Sequence, residues 1–278
     1  MSDAVFRTLK LLLVVLATGC SPISNMAVRK ALAPGVGSED AEAEVDSASP
    51  ADTGESPDGC PVVFDDAFDD EAGVEPPTDW VQAGSHPEPI AVEEGGTVTL
   101  QVDGGTSRIV AFGVPALDVS EHPVVVTVDV VELVPGGPDG LMSFSLIEST
   151  ELIDTVAVFV SGDGGVELRL EHGDPATDSR YAVFLEEPFS YQSVPFSIEL
   201  RFDATHFRIR SDHGFDSGLL AVEAFAPGWT PDRLDQVFPN LQATSLGSPE
   251  DTRVVVDRFR VATGPDCPTP GDGPLDAE

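Results

Sequence analysis

Glu167 and Glu171 stand four residues apart with Arg169 midway between them, in the run Glu167-Leu-Arg-Leu-Glu171. Alternate residues of a strand share a face, so the three side chains emerge together, and two carboxylates on one face are raw material for general acid and base work. The arginine between them would pair with both instead of raising either pKa, which predicts a solvated strand face and no catalytic pair. Asp129 and Glu132 fall on opposite faces of their strand. No Ser-His-Asp or Cys-His nucleophile is legible. The five histidines stand in Ser-His-Pro, Glu-His-Pro, Glu-His-Gly, Thr-His-Phe and Asp-His-Gly contexts. These lack the close pairing of a zinc site.

Recognition chemistry concentrates on one hairpin, residues 196 to 210. Phe196, Ile198, Leu200 and Phe202 alternate with Ser197, Glu199, Arg201 and Asp203. Phe207 and Ile209 share the inward side, leaving Arg201, His206, Arg208 and Arg210 with Glu199 on the opposite face. Three arginines together could take carboxylated or sulfated glycans through forked hydrogen bonds, or pair across the strands with Glu199 and Asp203. Trp80, Trp229, Tyr181 and Tyr191 are the side chains suited to stack on a sugar ring, against core or rim packing. Asp65, Asp66, Asp69, Asp70 and Glu71 crowd one stretch, with Asp257 a candidate neighbour. They could supply oxygen ligands for calcium, although the spacing is not that of an EF-hand and a solvated acidic loop is the simpler explanation. No cofactor is otherwise expected.

Net charge is −35 over 278 residues. Phosphate binding depends on clustered Lys and Arg, so nucleic acid is excluded as a natural partner. Attachment to a membrane would have to come from the N-terminus. There Arg7 and Lys10 precede the apolar run Leu11 to Ala17, which closes in Ala17-Thr18-Gly19-Cys20. The run is too short to span a bilayer, and small residues before a cysteine suit a signal peptidase. Residues 1–19 are therefore expected to be a lipoprotein signal peptide, with Cys20 lipidated. Residues 20–59 are small, acidic and proline-rich and cannot offset their own ordering entropy, which makes them an acidic disordered tether. Ser21 is compatible with the outer membrane of a bacterial cell envelope. In such an oxidising compartment Cys60 and Cys267 are left as a disulfide pair.

From Cys60 onward short apolar runs of period two are separated by Gly, Pro and Asp turns. Val124, Val126, Val128 and Val130 line one face of one run. Further strands are expected near 97–102, 108–112, 141–148, 155–160, 165–171, 181–186, 205–211, 219–225 and 253–262. One helix is expected over 230–238, with Thr230 as cap and Pro231 in its first position. Such a pattern predicts an all-β, antiparallel sandwich or barrel with one short helix, spanning residues 60–267 and followed by a disordered tail at 268–278.

The ends of that domain carry a resemblance. Val63-Phe64-Asp65-Asp66-Ala67-Phe68 followed by Trp80, with Val255-Val256-Asp257-Arg258-Phe259-Arg260-Val261 at the close, resembles the first and last strands of the concanavalin A-like lectin/glucanase (laminin G-like) jelly roll. Phe202-Asp-Ala-Thr-His-Phe-Arg-Ile-Arg210 resembles a hairpin of its exported bacterial members. The resemblance implies that first and last strands pair, bringing Cys60 near Cys267. Glucanases of this superfamily carry Glu-x-Asp-x-Glu on one strand, and here Arg169 stands where the middle aspartate belongs. The expected function is accordingly an exported, lipid-anchored surface protein, not an enzyme, whose domain binds a glycan. The alternatives are a carbohydrate-active hydrolase with an unrecognised site and a structural or adhesive envelope protein.

Overall fold

The computed structural model describes residues 59–69, 77, 79–84, 91–102, 104–137, 140–148, 153–172, 179–185, 195–245 and 251–272. The expectations for residues 1–58, Cys20 among them, lie outside the described residues, as do Asp70, Glu71 and Tyr191.

In chain order the described strands are β1 (Val62–Asp66), β2 (Val81–Gly84), β3 (Ala91–Glu93), β4 (Val98–Val102), β5 (Gly105–Val110), β6 (Val124–Val134), β7 (Gly140–Glu148) and β8 (Ile153–Ser161). There follow β9 (Val166–His172), β10 (Ser179–Phe184), β11 (Phe196–Phe202), β12 (His206–Ser211), β13 (Leu220–Ala221), β14 (Val237–Ser245) and β15 (Thr252–Thr263). Among the described residues they form two sheets, one of eight strands in the order β13-β12-β11-β6-β15-β4-β3 with β1 also on β15, and one of seven, β10-β9-β8-β7-β14-β5-β2. Every pairing is antiparallel.

β15 organises the larger sheet. One edge pairs with β6 from Arg253 to Thr263, while the other pairs first with β4 and then, from Phe259 to Ala262, with β1. The first and last strands therefore pair, as the resemblance implies, and Cys60 is disulfide-bonded to Cys267 with their Cα atoms 4.5 Å apart.

Period two builds the core. Val124, Val126, Val128 and Val130 of β6, Phe196 to Phe202 of β11 at alternate positions, and Val254, Val256, Phe259 and Val261 of β15 face inward. From the smaller sheet Met142, Phe144 and Leu146 meet them, with Val156, Val158 and Val160, and Val166, Leu168 and Leu170. Each such side chain taken out of water contributes about 1.5–3 kcal/mol before chain entropy is counted, which commits every strand to one register. The ring of Phe259 lies edge-on to Phe144 of the opposite sheet at 6.4 Å and to Phe64 of β1 at 6.0 Å.

The sequence expectation fails at several elements, β2 and β3 among them, which no expected strand covers. The helix over 230–238 is a single 3-10 turn, Pro231–Asp235, and the Thr230 hydroxyl bonds the Asp232 carboxylate at 3.2 Å instead of capping it. From Val237 the chain is β14, a strand in the middle of the seven-stranded sheet that the pattern did not predict. Pro239 hides it, since proline is normally kept out of central strands. It is tolerated because a strand residue's N–H and C=O point to the same side. The Pro239 carbonyl accepts the Ala111 N–H at 3.0 Å, so the missing donor also faces that side, beyond the end of β5, and the ladder to β7 loses nothing. The strand expected over 219–225 is only Leu220–Ala221, followed by one helical turn, α1 (Val222–Phe225).

Candidate functional site

The expected recognition face is assembled but covered. β11 and β12 pair with Arg201 opposite Arg208 and Glu199 opposite Arg210, on the outward face of the eight-stranded sheet. Arg201 is 4% exposed and donates to Glu199 from Nε at 2.5 Å and Nη2 at 3.3 Å. Arg208 forks onto Asp216 at 2.9 and 2.6 Å. The Arg208 fork, with the Gly218 N–H behind it, holds the Asp216 carboxyl below the usual carboxylate range against the opposing effect of burial. Arg210 is 3% exposed, and burial first, then repulsion from Arg208 and Arg201, pulls its guanidinium below the ordinary value. The chain continues past Cys267 across this face. Pro270 O accepts from Arg208 Nη1 at 3.4 Å and Asp272 O from Arg210 Nη2 at 2.9 Å. His206 belongs to the hairpin turn, where Asp203 Oδ1 accepts from its N–H at 2.9 Å and Thr205 Oγ1 meets its Nδ1 at 2.8 Å.

The aromatic and acidic candidates are used structurally. Trp80 is 3% exposed, packs on Phe64, Phe68 and Phe259, and donates its indole N–H to Asp66 Oδ2 at 2.6 Å. Trp229 is buried edge-on to Phe207, at 5.5 Å between ring centroids. Neither ring offers a face to a sugar. Tyr181 donates its hydroxyl to Pro227 O at 3.3 Å. As consecutive residues of β1, Asp65 and Asp66 point to opposite faces and cannot converge on one ion. Asp65 takes the forked Arg258 at 2.6 and 2.5 Å, with Arg260 at 3.5 Å. Asp66 caps the Phe68 N–H at 2.8 Å, and Asp257 is exposed at a register shift of β15. Among the described residues no group of three or more His, Cys, Asp or Glu could hold a metal ion, and Asp70 and Glu71 of the acidic stretch lie outside them.

A second polar face, on the outer side of the seven-stranded sheet, was mostly missed. There Arg108, Gln242, Ser143, Phe159 and Glu167 lie in one row across β5, β14, β7, β8 and β9, and Asn240, Ser145, Ala157 and Arg169 in the next. Arg169 donates from Nε and Nη2 to Glu167 Oε1 at 3.1 and 3.0 Å, with its guanidinium carbon 4.2 Å from the centre of the Phe159 ring. Arg108 grips Gln242 Oε1 from Nε at 2.9 Å and Nη2 at 2.6 Å. Asn240, fully buried, donates from Nδ2 to Ser145 Oγ at 2.8 Å, while its Oδ1 finds no protein partner among the described residues. Glu171 takes the register position opposite Arg180. Ser143 and Ser145, alternating within an apolar run, were the available signal for this face. Gln242 and Asn240 were hidden with β14.

A depression of about 210 Å³ opens at one end of the sandwich between Ser120, Glu121, His122, Asp203, Thr205 and Pro231. Asp118 beside it accepts from the Ser120 hydroxyl at 2.7 Å and N–H at 3.1 Å, which hold its carboxyl below the ordinary value.

Two sheets packed face to face, antiparallel throughout, with first and last strands paired, define a concanavalin A-like jelly roll. No protein-family model matches the chain, and no curated protein is similar to it in sequence. Solved structures share the fold. A mutant of SCLam, a non-specific endo-β-1,3(4)-glucanase from family GH16, co-crystallised with 1,3-β-D-cellotriosyl-glucose, superposes with TM-score 0.51 at 10% identity, covering 73% of this chain and 94% of that one. The GH16 protein of a Bacteroides ovatus mixed-linkage glucan locus, in complex with its product, has TM-score 0.50 at 11% identity over 72% and 100%. At these identities the likeness is one of fold. The expectation of a non-enzymatic glycan binder is corrected to this extent: both of the solved proteins just described are GH16 proteins, one an endo-β-1,3(4)-glucanase with an oligosaccharide at its active site and the other bound to its product.

Proposed function

We propose that the domain is a carbohydrate-active hydrolase, working on the outer face of the seven-stranded sheet with a glucan-type polysaccharide as substrate. The supporting observation is Glu167, a carboxylate at the end of a row of hydrogen-bonding side chains and fixed by Arg169, which is itself stacked on Phe159. Hydrolysis needs one carboxyl group to protonate the departing glycosidic oxygen and a second to engage the anomeric carbon or activate the attacking water. Glu167 is one member of that pair.

Purified protein incubated with β-1,3-, β-1,4- and mixed-linkage glucans releases reducing ends, and Glu167→Gln abolishes the release. Wild-type protein that leaves all three glucans intact at low and high salt sinks the proposal.

The reading includes export and anchoring through a lipid on Cys20 at a bacterial cell envelope, supported by the basic, apolar and Ala-Thr-Gly-Cys segments of the first twenty residues. Metabolic labelling with a radiolabelled fatty acid tests it: label retained by Cys20→Ala rules lipid on that sulfur out.

A further inference from the structure

The domain begins and ends at one point, and that arrangement decides where a pull on the N-terminal segment acts. Cys60 stands directly ahead of β1 and Cys267 just past the end of β15, and the disulfide between them holds their Cα atoms 4.5 Å apart. Without that bond, traction arriving through Gly59 would fall on β1. This strand starts at the point of pull and pairs with β15 alone among the described strands, from Val62 to Asp66. Ladder hydrogen bonds run across the strands, so a strand pulled from its end loses its pairs one at a time and offers little resistance.

The disulfide changes the path of that traction. It is buried with Val62 of β1 and Ala262 of β15, and Val125 of β6 packs against it. Val62 opposes Ala262 and Ala262 opposes Val125, so three neighbouring strands meet at the bond. The Thr263 N–H donates to Pro61 O at 3.0 Å, and its hydroxyl donates to Pro123 O, just ahead of β6, at 3.1 Å. Gly264 lets the chain leaving β15 pass close to Pro61, where an added Cβ would stand 2.9 Å from the proline ring. The Cys267 N–H closes this turn onto Gly264 O at 3.2 Å. Drawing Cys60 away from the domain therefore draws Cys267 and the end of β15 with it. β15 is held to β6 from Arg253 to Thr263, a longer ladder than that of β1, and to β4 on its other edge. Phe259 and Val261, near the pulled end, are buried in the core.

We propose that the Cys60–Cys267 disulfide is a traction clamp: it passes a pull on the N-terminal segment to β15, so that β1 stays paired while the domain is held by that segment. Anchoring at Cys20 would put the clamp to use, since a polymer gripped by the domain would pull against the anchor along this path. The clamp itself rests neither on that anchoring nor on the hydrolase reading.

The test is optical-tweezers stretching of the full chain, made without lipidation. One DNA handle is placed on the Cys20 thiol and the other on an azide-bearing amino acid in place of Ala204, exposed in the turn between β11 and β12. Within the eight-stranded sheet Ala204 is joined to β1 through β11, β6 and β15, so the pull crosses the ladders in question. The disulfide-intact chain unfolds without an early step. Cys60→Ser with Cys267→Ser first releases residues 60–66, about 25 Å of chain at roughly 3.5 Å per residue, below the force of the main unfolding. Asp65→Asn removes the carboxylate that Arg258 and Arg260 hold across the β1–β15 ladder, leaves the disulfide in place, and leaves the unfolding force unchanged. An early step in the disulfide-intact chain, no such step in the serine pair, or a lower unfolding force for Asp65→Asn overturns the proposal. Should the serine pair fail to fold, the Asp65→Asn comparison decides, because it is made in the oxidised protein. Neither glucan cleavage nor lipid attachment is read, so failure here leaves the hydrolase and anchoring readings untouched, and their failure leaves this one untouched.

Discussion

Trp80 donates its indole N–H to the carboxylate of Asp66 at 2.6 Å, and through that bond the segment preceding β2, in the seven-stranded sheet, is fastened to the end of β1 in the other. A tryptophan with sugar-stacking geometry would present a ring face to solvent. This one spends its polar edge on a neighbouring strand and its rings on Phe64, Phe68 and Phe259.

Trp80→Phe keeps an aromatic ring but leaves the Asp66 oxygen without its donor. A loss of about 1–3 kcal/mol in urea unfolding is expected, the usual cost of a half-buried carboxylate losing a partner, plus imperfect packing. An unchanged midpoint would contradict the structural role.

Replacing both Cys60 and Cys267 by serine opens a loop of sequence separation 207. The chain-entropy account assigns closure of so long a loop about 5 kcal/mol, so the variant unfolds at much lower denaturant than wild type. Reduction of the native protein produces a matching shift, and a variant as stable as wild type would show that β1 is held by its ladder to β15 alone.

Asp216 sets a pH dependence with a definite sign. Its folded carboxyl titrates below the ordinary value because of Arg208 first, so the unfolded chain binds the proton more readily. The resulting stability is complete above the unfolded value, about 3.9, and is lost as pH falls through the lower folded one. Asp216→Asn therefore destabilises at pH 7 by about 1 kcal/mol or less, given the partial exposure of the pair, and the deficit shrinks on acidification below about pH 4. Thermal melts of both proteins from pH 7 to 2 check this, and a deficit that grows on acidification would reverse the assignment.

Glu167→Gln separates chemistry from architecture. The amide keeps one oxygen for Arg169 but can neither donate nor accept the catalytic proton. Glucan cleavage is expected to fall by at least about a hundredfold, the scale of general acid–base catalysis, while the variant still folds cooperatively. Equal loss of stability and activity would assign Glu167 to the fold.

Much of the fold was legible because it is written locally. Alternating valines in β6 and alternating phenylalanine, isoleucine and leucine in β11 declare which side is buried, and Gly, Pro and Asp mark where each run ends. Cys60 and Cys267 could be paired because compartment and terminal-strand resemblance agreed. The inward side of Phe207 and Ile209, and with it the outward side of Arg201, Arg208 and Arg210, also followed from period two.

The rest depended on neighbours distant in sequence. β14 reads as a helix start followed by a proline until Ala111 is seen to occupy the one position where Pro239 lacks a donor. The outer face of the seven-stranded sheet exists only once β5, β14, β7, β8 and β9 align Arg108, Gln242, Ser143, Phe159 and Glu167. What the chain determined by itself was therefore strand identity, facing and the tie between its ends, since backbone geometry and hydrophobic burial act residue by residue. Tertiary structure alone decided that Trp80 turns inward, that residues 268–272 lie on the arginines, and that Glu167 joins a polar row, because each outcome is a competition among partners that only folding brings within hydrogen-bond reach.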